Sequence, residues 1–340
     1  MDIYINGIGL ISPQKTRNNN SFLEEVKLAE GDFFLIEEPP YKEYIAPKEL
    51  RRMSKIIRNG IVSAKIALEE GGVEQPDAIL TGTGLGCAID TEKFLISMKE
   101  NEERLLTPTS FIQSTHNTLG GSIAIGLGCH NYNMTYVHRG FSFESALLDA
   151  QLMMQGNEIK NALVGGFDEM TEMHAKLLLT TPQYHPTTGA FPGQGSAFFM
   201  LNTEKTDASY ARFIDTEMLY QPDMDDLEER MKEFIESHEI ELEKTFILLG
   251  ENNWNEESIV YQHIQEKFFN HSGIGHFKQL SGEYYTASSF AFWLGAQILK
   301  KQHIPSSVIA KGESPKEIEH VLIYNQFNRT QHALILLGRC

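Results

Sequence analysis

Two kinds of apolar run alternate along the chain. Short runs rich in β-branched and aromatic residues read as buried or half-buried strands: residues 3–11 (IYINGIGLI), 78–85, 134–137, 161–164, 210–219, 245–250 (TFILLG), 321–325 and 332–336. Residues 273–280 read as a further strand, and the stretch TGAFPGQGSAFFMLNTE reads as a glycine-rich turn running into another. The other runs repeat at helical spacing. Residues 47–72 place Ile56, Ile57, Ile61, Ile66, Ala67 and Leu68 on one side and stop at Gly71-Gly72, which predicts one long amphipathic helix. Residues 142–154 form a helix stopped by Gly156, residues 223–239 an acidic amphipathic helix, and residues 285–301 a last, more apolar one. Residues 18–40 carry no period and read as irregular, and residues 167–186 as a connection.

The order of these elements repeats. Both halves close as strand, helix, strand, strand. The repeat predicts two similar units, residues 1–203 and 204–340, each built on a mixed sheet. Helices would pack between and outside the sheets in a layered α/β architecture.

Charge narrows the partners. The 340 residues carry a formal net charge of −17, which argues against nucleic acid and anionic membranes. No apolar run is long enough to span a bilayer, and MDIYINGIGLIS has no basic leader pattern, so no membrane contact and no signal peptide are expected. The three cysteines, at 87, 129 and 340, have no zinc spacing and suit a reducing cytoplasm. No cofactor or metal is expected. GTGLG at 82–86 lacks the lysine of a phosphate-binding loop and the acidic partner of a dinucleotide site. Against the acidic background, Lys48, Arg51, Arg52, Lys55 and Arg58 stand out. They form either a solvated helix face or a docking patch for an acidic partner.

The chemistry gathers around residues 133–168, read as strand, turn, helix, strand. The turn His138-Arg139-Gly140 delivers a side chain to a helix N-terminus, where free N–H groups lower a thiol's pKa and stabilise an oxyanion. This segment, the opening INGIGLISP, the stretch 107–133 and the closing Gly165-Gly166 together resemble the β-ketoacyl-acyl carrier protein synthases, condensing enzymes of the thiolase fold. The resemblance covers nearly the whole chain. It implies a duplicated, layered α-β-α-β-α thiolase-like fold, a dimer, and an acidic acyl carrier protein docking near the basic run at 48–58.

Members of that family use a cysteine, two histidines and an oxyanion hole. The family's cysteine position falls on Arg139, and an arginine cannot attack a thioester. Where the first histidine motif, His-Gly-Thr-x-Thr, would stand, the chain reads Glu251-Asn252-Asn253-Trp254, with Asn252 the nearest equivalent. The motif Lys-x-x-x-Gly-His keeps Lys278 and Gly282 but ends in Glu283, negative where an enolate would form. The gating loop Gly-Phe-Gly-Gly-Thr-Asn becomes Gln326-Phe327-Asn328-Arg329-Thr330-Gln331, without its paired glycines. His138, Ser142, Phe327 and Asn328 are the expected pocket residues. Ser142 is expected to spend its hydroxyl on the helix start as an N-cap, and Arg139 with Glu283 to form a salt bridge across the emptied pocket.

The resemblance therefore implies a degenerate member, similar to the chain length factors that pair with an intact synthase in aryl-polyene and flexirubin-type pathways of polyketide or fatty acid type. The expected partners are a catalytic synthase subunit in a heterodimer, or a second copy of the chain in a homodimer, and an acyl carrier protein. The alternatives are an active but unusual acyl-carrier-protein condensing enzyme or acyltransferase, and an acyl-binding regulatory protein.

Overall fold

The computed structural model describes residues 1–184 and 189–340. Residues 185–188, which include the end of the predicted connection and the first residue of the predicted glycine-rich turn, lie outside the described residues. The first half supplies β1 (Ile3–Ile11), β2 (Ala78–Gly82), β3 (Tyr132–Tyr136), β4 (Asn161–Asp168) and β5 (Gly195–Asn202). The second supplies β6 (Ala211–Tyr220), β7 (Thr245–Leu249), β8 (Gly273–His276), β9 (Ile309–Lys311), β10 (His320–Phe327) and β11 (Gln331–Gly338).

Outward from the middle, the first half runs β1-β5-β4-β2-β3 and the second β6-β11-β10-β7-β8, with β9 added beyond β8. The senses of pairing match as well. Antiparallel pairs β1/β5 and β5/β4 correspond to β6/β11 and β11/β10, and parallel pairs β4/β2 and β2/β3 correspond to β10/β7 and β7/β8. The repeat read from the sequence is thus a repeat of topology. The two sheets are not separate, however. Ile3, Tyr4 and Ile5 of β1 pair antiparallel with Phe213, Arg212 and Ala211 of β6, so the sheet is continuous through the middle. Pairing there satisfies backbone groups that two buried edges would leave open.

The described helices are α1 (Pro47–Leu50), α2 (Lys55–Gly71), α3 (Ala88–Glu100), α4 (Pro108–Gln113), α5 (Thr118–Leu127), α6 (Ser142–Gln155), α7 (Glu172–Leu178), α8 (Met224–Ser237), α9 (Asn255–Phe268), α10 (Lys278–Ser281) and α11 (Ser288–Lys301). Strand alternation sorts them into layers. Leu80 and Val164 face the same core as Phe246 and Leu248 of the other half, and α6 and α11 fill the space between. The opposite faces carry α2 and α5 over Ile79, Leu163 and Phe198, and α8 and α9 over Ile247, Leu249 and Leu322. The result is helix, sheet, helix, sheet, helix. Close approach of α2 to β1 depends on two glycines. A Cβ on Gly7 or Gly9 would lie 2.0 Å from the carbonyl oxygen of Ala67 or Ser63.

Three expectations change. The long helix over 47–72 is broken at 51–54, because the buried stripe starts only at Ile56; Leu50 and Met53 are half-buried and cannot hold the preceding turn in register. The strand over 273–280 stops at His276 and gives way to α10. The elements α3, α4, α5, α7, α9 and β9 are additional. In α9 the buried residues are Glu257, Tyr261 and Ile264, a stripe too thin and too polar to announce itself. No described helix is long and apolar enough to cross a membrane.

Candidate functional site

The parallel strands β3, β2 and β4, and their counterparts β8, β7 and β10, point their carboxyl ends toward one region, the usual place for a site in such sheets. There β3 ends and the chain turns through Arg139–Phe141 into α6. Arg139 has φ +55, a left-handed conformation that strains a non-glycine residue by roughly 1 kcal/mol or more. The turn is braced from below. Ser142 does not cap the helix: its oxygen accepts the His138 N–H at 2.9 Å, and its hydroxyl lies 2.7 Å from the Arg139 carbonyl and 2.9 Å from that of Thr83. The His138 ring lies 3.0 Å from the Ser145 hydroxyl, and the side chains of His138 and Arg139 are exposed.

From above, the turn is closed by the β10–β11 hairpin. The Gly140 N–H donates to Gln331 Oε1 at 3.0 Å, and Gln331 Nε2 donates to the His138 carbonyl at 2.9 Å. One internal side chain therefore fills the turn's outward amide and carbonyl together. Phe327 lies over Gly140, where a Cβ would come within 2.6 Å of the Phe327 Cβ, and its ring meets Tyr285 at 5.0 Å. The hairpin loop is tight, with Asn328 and Arg329 at φ +53 and +56, and is pinned by the Asn328 N–H donating to Glu257 Oε1 at 2.7 Å.

Behind this hairpin lies a polar cluster. Lys278 Nζ sits 2.6 Å from Glu283 Oε2, with side chains 1% and 2% exposed. Asn252 Nδ2 lies 2.7 Å from Glu283 Oε2 and 2.7 Å from Glu257 Oε2, bridging the carboxylates. Lys278 Nζ also approaches the Gln326 carbonyl at 3.4 Å, and Gln326 Nε2 donates to the Glu257 carbonyl at 2.9 Å. Burial pushes the Glu257 carboxyl up to about 7, with Lys278 opposing and Glu283 reinforcing. The expected Arg139–Glu283 bridge does not form. Glu283 is buried with Lys278, while Arg139 is exposed and enters no ion pair among the described residues. A buried carboxylate takes the nearer, equally buried cation, and the arginine keeps its hydration.

Little space is left between these groups. A cavity of about 20 Å³, lined by Leu178, Tyr184, Tyr285 and Phe327 around Asp168 and Glu283, is too small for an acyl chain. Tyr285 occupies it from the side of Gly84, where a Cβ would meet the Tyr285 ring at 2.2 Å. Asp168 ties the halves together, accepting from the Gly84 N–H at 2.8 Å and from the Thr286 N–H and hydroxyl at 2.9 and 2.8 Å. Burial still pushes its carboxyl up to about 6.

The thiols are equally quiet. Cys87 and Cys129 are buried, burial pushes the Cys87 thiol far above its ordinary value, and Cys340 is also raised by burial. His174, the histidine lining the cavity, is pushed down by burial, which disfavours the charged form that would pair with an enolate. Sequence reasoning brought Asn252, Lys278, Glu283 and Phe327 to one region, and the structure packs them together. It missed Glu257, Tyr285 and the part played by Gln331. Tyr285 and Gln331 act through contacts more than 40 residues away, and Glu257 holds the Asn328 N–H 71 residues on; the only visible signal was a carboxylate in the weak apolar stripe of α9.

Two surfaces flank the site. Lys48, Arg51, Arg52 and Lys55 are exposed; Lys55 pairs with Glu38 at 2.5 Å, and half-buried Arg58 lies over the Tyr41 ring at 5.8 Å. Beside them a groove of about 460 Å³ runs between α1, α2 and α5, with Ile45, Met53, Leu68 and Ile125 in its walls. The outer edge of β3 pairs with no described strand and exposes Tyr132, Met134 and, just beyond, Val137.

Comparison with known proteins agrees with this geometry. The profile of the β-ketoacyl synthase N-terminal domain matches residues 11–200. Among solved structures, the ishigamide ketosynthase/chain length factor superposes with a TM-score of 0.82 at 16% identity, covering 100% of this chain and 99% of that one. The complex of the ketosynthase ApeO with its chain length factor ApeC from Xenorhabdus doucetiae gives 0.77 at 16% identity, with 100% and 98% covered. A type II polyketide synthase acyl carrier protein in complex with its ketosynthase gives 0.78 at 14%, with 100% and 99% covered. At these identities the likeness establishes the fold, the thiolase-like layered α/β arrangement. No curated protein matched the sequence.

Proposed function

Because the chain belongs to the β-ketoacyl synthase family, we propose that it is the chemically silent subunit of a synthase pair, a chain length factor that completes the assembly while its partner performs the condensation. The observation that carries this reading is the Gln331 side chain seated on the turn. The Gly140 N–H that could serve a thioester oxyanion already donates to Gln331 Oε1 at 3.0 Å, beside an arginine where the family's nucleophile would stand. The closed cavity, the Phe327–Tyr285 contact and the neutralised Lys278–Glu283 pair support it. The edge of β3, with its exposed Tyr132 and Met134, suits edge-to-edge pairing with the catalytic subunit. The cations Lys48, Arg51 and Arg52 beside the apolar groove suit an acidic carrier protein. We assign the duplicated units to residues 1–203 and 204–340, the protein to the cytoplasm, and the pathway to polyketide synthesis of polyene type.

Two measurements test the reading. Incubated with acyl-carrier protein, the pure chain should gain no acyl mass, while an intact synthase handled in parallel gains one. A stable adduct on this chain would replace the reading with that of an unusual acyltransferase. Co-expressed with a synthase from its own gene neighbourhood that keeps the Cys-His-His set, the chain should co-purify with that synthase as a pair. A stable homodimer indifferent to such a synthase would overturn the subunit role.

A further inference from the structure

We draw no further inference here: the strongest candidate, the apolar groove of about 460 Å³ between α1, α2 and α5, belongs to the carrier-docking surface already proposed, and nothing in the structure shows what else would cover it.

Discussion

Lys278→Met should lower the folding stability of the chain by about 3–5 kcal/mol, the cost of stranding a buried charge. The ammonium lies 2.6 Å from Glu283 Oε2, and Asn252 links that carboxylate to Glu257. Removing the cation leaves two buried carboxyl groups facing each other through one amide. Neither can reach water, because Phe327 and the pinned hairpin close the way out. Urea denaturation should show a lower midpoint with an unchanged slope. The companion variant Lys278→Met/Glu283→Leu should recover most of the loss, because replacing both ions by apolar groups removes the unpaired charge as well as the pair. A single-variant loss below about 1 kcal/mol would mean that the cluster is hydrated and that the closed picture of this region is wrong.

The chain should also lose stability as the solution moves from about pH 5 to about pH 8. Burial pushes Glu144 and Glu169 up to about 7 and Asp168 up to about 6, and Glu257 shares the direction. A carboxyl whose folded pKa exceeds its unfolded value holds its proton more tightly in the native state. Its contribution is complete below the unfolded value and is lost as the pH climbs through the folded one. For Glu144, opposed by the Ser288 hydroxyl, its own backbone N–H and Lys278, the interval from 4.5 to about 7 corresponds to on the order of 3 kcal/mol. Denaturation midpoints measured across that range should fall steadily, and Glu144→Gln, neutral at every pH, should flatten part of the slope. A midpoint that rises toward pH 8 would show that these carboxyls are not buried as described.

Much of the fold was legible because period and turn chemistry are local. The run at 3–11 became β1, and the duplication followed from the order of elements. The break at 51–54 was hidden because cationic helix formers such as Lys48, Arg51 and Arg52 sustain helix propensity where no core supports it. The site divided along the same line. Arg139, Asn252 and Glu283 could be located by their distance from scaffold motifs. Which of them would touch could not, because choosing Lys278 over Arg139 as the partner of Glu283 depends on burial, which a spacing does not encode. The occupation of the Gly140 amide by Gln331 spans 191 positions and leaves no local trace.

The short strand β9 bears on how large an assembly this chain can build. In the duplicated topology β3 and β8 are equivalent, yet the outer edge of β3 pairs with no described strand while β9, three residues with an irregular register, lies along β8. Two bare edges on one molecule would let each copy add to the next without end, in the manner of a growing fibre. Here the second edge is β9 itself, three exposed residues with an irregular register and a poor template for a further strand, so lateral growth of the sheet is favoured at β3. A partner seated along β3 would use up the better of the two edges, so pairing there would favour a discrete pair over a growing fibre.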